Sequence, residues 1–227
     1  YPTVNEYPSG LGKAFASWDN PEVEKKYGKY NKFDLEGAKA LLKEAGYKTA
    51  IAGKWQLGFD STLPNHFGFD EYCLWQLSKE ARDGERYANP LIEQNGKFLD
   101  RDPDAYGPDV VSRFALDFVT RSKDAPFFLY YPMILPHDPQ VPTPESPEWA
   151  GDRYAKNNKL FADMVAHMDK NVGEIVDHVK SLGLAENTIF LFTGDNGSSF
   201  KTAPAIGRTL AEWIVDGYPT GIDPRPF

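Results

Sequence analysis

Three times along this chain a stretch with helical apolar spacing gives way to a short apolar run that ends in a polar cluster. In the first, Asp34 stands as an N-cap before Leu35, Ala38, Leu41, Leu42 and Ala45, and Gly46 supplies the C-terminal stop. Tyr47 to Ala52 then reads as a strand ending at Gly53-Lys54-Trp55. In the second, Asp109 to Thr120 carries Val110, Val111, Phe114, Ala115 and Phe118 on a helical face, and Phe127 to Tyr131 reads as a buried strand leading to Pro136-His137-Asp138-Pro139. In the third, Leu160, Met164, Met168, Val172, Ile175, Val176, Val179 and Leu182 share one face of a long helix stopped by Gly183, and Thr188 to Thr193 reads as a buried strand before Gly194-Asp195-Asn196-Gly197.

Helix then strand, repeated, is the pattern of an α/β sandwich: a mostly parallel mixed central sheet covered by helices on both faces. Open sheets of this kind bind ligands beyond the carboxyl ends of their strands, where the three polar clusters fall. With 227 residues, 41% of them hydrophobic, the chain is long enough to bury a core and is expected to form one domain over residues 1–227. Residues 1–32 read as loop with a short helix near Pro21 to Lys26, and Phe59 to Asp104 as irregular surface with small hairpins. The regularity is lost over residues 198–227, and no internal repeat is visible.

Composition narrows the function. A formal net charge of -8 without a basic run argues against a nucleic-acid partner, whose phosphates require clustered Lys and Arg. The longest apolar stretch, Phe127 to Leu135, contains Pro132 and falls far short of the ~20 residues that cross a bilayer. Cys73 is the single cysteine, so no internal disulfide forms; its aromatic surroundings suit a buried, inert thiol. Tyr1-Pro2-Thr3 opens no basic-then-apolar leader, and the residues themselves leave the compartment open.

Asp195 and Asn196 offer adjacent hard oxygens of the kind Ca²⁺ or Mg²⁺ prefers, but Asp-Asn-Gly is equally strong turn chemistry. His137, held between two prolines, suits a general acid or a donor to an anion, and equally a solvent-facing loop histidine. Lys54 would present an ammonium to an anion beside the aromatic wall of Trp55, or be an ordinary surface lysine. His66, His167 and His178 read as structural or solvated.

Taken together the clusters resemble the type I sulfatases, members of the alkaline phosphatase-like superfamily. Ala45-Gly46-Tyr47-Lys48-Thr49-Ala50-Ile51-Ala52-Gly53-Lys54-Trp55-Gln56-Leu57-Gly58 looks like that family's lysine motif. Phe127 to Pro139 is similar to its strand leading to a substrate histidine. Met168 to Phe190 with Gly194-Asp195-Asn196-Gly197 resembles its metal-binding strand. The resemblance implies an alkaline phosphatase-like sandwich and hydrolysis of a sulfate ester of a carbohydrate or aryl alcohol, in a periplasmic or secreted setting. It implies that Lys54 and His137 are catalytic, meeting the sulfate, the catalytic aldehyde hydrate and the leaving oxygen. It further implies that Asp195 and Asn196 bind Ca²⁺, and that Gln56 and, as a weak stand-in for a family lysine, Lys201 contact substrate.

The chain departs from the family in four ways. Sulfatases mature a Cys or Ser within Cys/Ser-x-Pro/Ala-x-Arg to formylglycine; no such segment occurs here, and Cys73 is followed by Leu74-Trp75-Gln76-Leu77. The family's paired N-terminal aspartates are also absent, so the chain is expected to be a partial catalytic domain, inactive alone, whose nucleophile comes from sequence preceding Tyr1. Thr209-Leu210-Ala211-Glu212 resembles a helix placed farther along in the family, which suggests residues lost between Asn196 and Thr209. Gln56 stands where most of the family has His; an amide donates a hydrogen bond but is neither acid nor base. The rival readings are a phosphodiesterase or phosphonate hydrolase of the same superfamily and a catalytically inactive sulfatase-like binding protein.

Overall fold

The computed structural model describes residue 25, residues 34–79 and residues 86–192. The chain divides into two compact units, residues 1–36 with 190–227 and residues 37–189, and the second holds the sheet. Of the first unit only Lys25, residues 34–36 and residues 190–192 are described.

Helix α1 (Leu35–Glu44) leads into β1 (Lys48–Lys54), as the spacing predicts. None of the residues of α1 is buried, and Leu41 is 53% exposed. By contrast β1 is buried on both faces from Thr49 to Gly53, as suits the centre of a parallel sheet. A short helix α2 (Leu63–His66) precedes β2 (Glu71–Trp75), which pairs parallel to β1 with Lys54 opposite Trp75. A side-chain clamp sets that register: Thr49 Oγ1 donates to Asp70 Oδ2 at 3.0 Å, and Asp70 N–H donates back to Thr49 Oγ1 at 2.9 Å. Strands β3 (Ile92–Gln94) and β4 (Lys97–Phe98) form a hairpin turned at Asn95-Gly96, both in the left-handed region that a tight two-residue turn requires. Asn95 Oδ1 also accepts from Tyr72 N–H at 2.7 Å, tying the turn to β2.

Helix α3 (Gly107–Ser122) crosses back to β5 (Phe127–Tyr130), parallel to β1 on its other side. The sheet order is β4-β3-β2-β1-β5. The long helix α4 (Phe161–Ser181) packs on α3. On one face of the sheet Ala50, Ala52, Cys73 and Trp75 meet Val111, Phe114, Ala115 and Phe118 of α3. On the other, Ile51, Trp55, Tyr72, Leu74 and Leu77 cluster with Leu63 of α2 and Phe69. Full burial of each large apolar side chain contributes about 1.5–3 kcal/mol, so these two layers dominate the stability. The result is the α/β sandwich of the alkaline phosphatase-like fold, a mixed sheet with helices on both faces.

Three local expectations are corrected. Residues 59–104 contain the β3–β4 hairpin, but also β2, a central strand rather than irregular surface; its five residues are too few to show a period. Strand β5 is half-exposed: Phe128 and Tyr130, 39% and 51% exposed, share the face on which both stack against Phe69. Thr188 to Phe192 form no strand, and Ile189, Leu191 and Phe192 are exposed.

Candidate active site

The C-terminal end of β1 is shaped by Gly53. Its φ of 126° suits glycine, and a Cβ there would lie 2.9 Å from the carbonyl carbon of Pro132 and closer still to its oxygen. This close approach lets Lys54 N–H donate to Pro132 O at 2.8 Å, extending the β1–β5 ladder past the end of β5. Trp55 N–H donates to Trp75 O at 3.1 Å on the opposite side. Lys54 is therefore fixed, half-buried, at the strand's carboxyl end as the sequence predicts. Gln56 follows on an exposed left-handed turn (φ 54°), and its Nε2 donates to Gln76 Oε1 at 2.9 Å, tying the two strand-end loops together.

His137 lies beyond β5 in a loop pinned from below. Tyr87 Oη, buried, donates to His137 O and, at 3.5 Å, to Ile134 O. Burial pushes the Tyr87 phenol up to about 12, more than Arg86 lowers it, so the hydroxyl remains a donor at ordinary pH. The His137 ring is exposed, and its Nδ1 is 2.5 Å from Arg86 Nη1. Arg86 also donates from Nη1 to Asp138 O at 2.6 Å.

Arg86, which the sequence does not single out, joins this cluster in the structure. It is 4% exposed, and its guanidinium stands 4.3 Å above the ring of Trp75, the last residue of β2. The start of α3 abuts its backbone: a Cβ on Gly107 would lie 3.1 Å from the Arg86 carbonyl carbon and closer still to the oxygen. Its polar partners lie 51 and 52 residues away in sequence, so no local pattern marks it. Arg86 Nε, Trp55 Nε1 and Trp75 Nε1 are buried donors without a protein partner among the described residues. The structure thus brings Lys54, Gln56 and His137 to one end of the sheet, through Pro132, Trp75 and Arg86.

Asp195, Asn196 and Lys201 lie outside the described residues. Among the described residues no group of three or more His, Cys, Asp and Glu side chains is arranged to hold a metal ion. The chemistry of Asp195-Asn196, a carboxylate and an amide side by side, fits a hard cation in kind, but two oxygen donors fall short of the ~6–8 that Ca²⁺ takes.

His167, read from sequence as structural or solvated, is structural. Its side chain is 1% exposed between Asp109 Oδ1, 2.6 Å from Nε2, and Glu145 Oε2, 2.5 Å from Nδ1. Burial opposes its charge, but the hydrogen bonds to Asp109 and Glu145 outweigh burial and raise it above the ordinary histidine value. His178 likewise serves packing, with Nε2 2.7 Å from Thr120 Oγ1 on α3.

A family model described as Sulfatase matches residues 26–220. The chain is 34% identical to the N-acetylgalactosamine-6-sulfatase of Canis lupus familiaris, over 77% of this chain and 35% of that protein. It is 36% identical to the N-acetylgalactosamine-6-O-sulfatase of Bacteroides thetaiotaomicron, over 69% of this chain and 42% of that protein. The chain therefore spans well under half the length of these relatives. Among solved structures, a chain described with the metabolism of multiple glycosaminoglycans by Bacteroides thetaiotaomicron superposes with a TM-score of 0.50 at 22% identity, over 75% of this chain and 48% of that one, a likeness of fold.

Proposed function

Because this chain belongs to the sulfatase family, we propose that it is part of the catalytic domain of a sulfuric ester hydrolase acting on a sulfated carbohydrate. The observation that carries this reading is the anchoring of Lys54 and His137 at one end of the sheet, on elements that lock both backbones. Cleavage of a sulfate ester gathers negative charge on the transferring group and on the leaving oxygen, and fixed donors stabilise it without reorganising. In this reading the Lys54 ammonium binds a sulfate oxygen, His137 donates a hydrogen bond to the sulfate group or leaving oxygen, and the Gln56 amide and Lys201 contact substrate. Asp195 and Asn196 would hold Ca²⁺, which when bound supplies positive charge to the sulfate oxygens. In this reading a formylglycine would be the nucleophile, and no Cys/Ser-x-Pro/Ala-x-Arg segment that could supply it occurs within these 227 residues. The names of the relatives make 6-sulfated N-acetylgalactosamine the first substrate to test, and a periplasmic or secreted setting suits such a glycan.

The test uses the complete protein with a sulfate and a phosphate ester of one phenol, and with N-acetylgalactosamine 6-sulfate. Sulfate release that is lost on chelation and restored by Ca²⁺ supports the proposal. Preference for the phosphate ester would instead indicate a phosphodiesterase, and binding of the sulfated sugar without turnover an inactive binding protein.

A further inference from the structure

The contact between Arg86 and His137 bears on which ring nitrogen carries the proton. A guanidinium has five N–H donors and no acceptor, so where Arg86 Nη1 meets His137 Nδ1 at 2.5 Å the ring nitrogen must accept. A nitrogen that accepts in the ring plane is unprotonated. The 2.7 Å separation of Nδ1 from Asp138 O is then no N–H···O bond; both atoms converge on the same guanidinium nitrogen, which donates to each. We infer that Arg86 is a positioning residue that holds His137 in the Nε2–H tautomer, leaving Nε2–H as the one donor of the ring.

The surroundings of Arg86 suit this role. Arg86 is buried, its guanidinium stacks on Trp75 at the end of β2, and its backbone is abutted by Gly107 at the start of α3, so it belongs to the sheet end rather than to the loop that carries His137. Two donated bonds, to Nδ1 of His137 and to the backbone carbonyl of Asp138, fix both the imidazole and the residue that follows it. With Tyr87 donating to His137 O, adjacent residues of one segment grip both ends of the histidine. Together they present an Nε2–H of fixed direction. The consequence for catalysis rests on the reading above: a neutral imidazole donating through Nε2–H binds a sulfate oxygen, and its proton need not be gained or lost for it to do so.

The tautomer is measurable without any assay of activity. In the complete protein labelled with ¹⁵N-histidine, two-bond ¹⁵N–¹H correlations distinguish Nε2–H from Nδ1–H, and the signal missing from H137Q identifies the residue. The expected result is an Nε2–H ring in the unsubstituted protein that becomes mixed or Nδ1–H in R86Q. R86K, which keeps a cationic donor, should restore part of the Nε2–H signal. An Nδ1–H ring in the unsubstituted protein overturns the inference whether or not R86Q folds, as does a folded R86Q with an unchanged tautomer. On a sulfate ester, R86Q should lower kcat by roughly 10- to 100-fold, the range seen where a group that orients a metal-bound histidine is lost. Absence of any sulfate-ester turnover alongside an Nε2–H His137 would defeat the proposed function and leave the role of Arg86 standing.

Discussion

Gly53 and Pro132 approach so closely that no methyl group fits between them, and that approach lets the N–H of Lys54 reach the Pro132 carbonyl at 2.8 Å. The positive φ of 126° at Gly53 adds a conformational reason for glycine to the steric one. The lysine's position at the end of β1 therefore depends on a backbone contact with the segment that runs on to His137.

Replacing Gly53 with Ala should separate these two segments. The collision is with backbone, which cannot rotate away, so the cost should exceed the roughly 1–2 kcal/mol of left-handed strain alone. Gly46 provides the control: it also has a positive φ, 73°, but nothing within 4 Å of its would-be Cβ. Denaturant unfolding of the complete protein should show G46A lowered by about 1–2 kcal/mol and G53A by clearly more. Equal losses for the two variants would show that the Pro132 contact does not matter.

Activity should respond to Lys54 and His137 in different ways. If Lys54 meets the charge that develops on the sulfate, K54A should lower kcat on a sulfate ester by about 10²–10³-fold. K54R should recover little, because a planar fork does not replace a compact ammonium on a half-buried strand end. H137Q keeps an amide donor and should lose less than H137A. Steady-state kinetics of the four variants checks this ordering, and full activity in K54A would remove the lysine from the site.

The sequence made the elements with a period legible and left out those held by distant partners. Leu35 to Ala45, Val110 to Phe118 and Leu160 to Leu182 each show helical spacing, and each lies on an observed helix or at its margin. Lys54 was readable because it ends an apolar run. Strand β2 was not, because Tyr72-Cys73-Leu74-Trp75 is buried on both faces and too short to alternate. Arg86 was invisible for a different reason: its meaning comes from Trp75 and His137, which only the fold brings to it. The apolar run from Thr188 promised a strand, but hydrophobicity alone does not form one without a neighbour, and Ile189 and Leu191 stand exposed.

Cys73 should be chemically silent. It is fully buried in β2, and burial pushes its thiol up to about 12, with Arg113 offsetting only part of the shift. Native protein should resist alkylation by iodoacetamide at pH 8, while protein unfolded in denaturant should react within minutes. C73A should cost stability through a small cavity, and C73S more, because a hydroxyl there has no hydrogen-bond partner assured by the apolar neighbours Ala50 and Ala52. Fast labelling of the native protein would contradict the buried position of β2.

Stability should depend on pH through His167, which joins α4 to Asp109 on α3 and to Glu145. Its folded pKa is raised above the ordinary 6.5, so its contribution is fully present below that value and is lost as pH rises through the folded pKa. Glu145 acts in the opposite sense. Burial would raise its carboxyl, but Lys170 and His167 bring it down from 4.5 to about 2, so its contribution is present above 4.5 and fades as pH falls toward 2. Because Glu145 is half exposed, solvent screening makes its share the smaller. The clamp is therefore strongest between 4.5 and 6.5, the ordinary values of the two groups. Thermal unfolding midpoints of the complete protein should fall as pH rises from 6 to 9, and H167Q, which cannot take up a proton, should be less stable at pH 6 and lose most of that slope. A slope unchanged in H167Q would place the pH dependence elsewhere in the molecule.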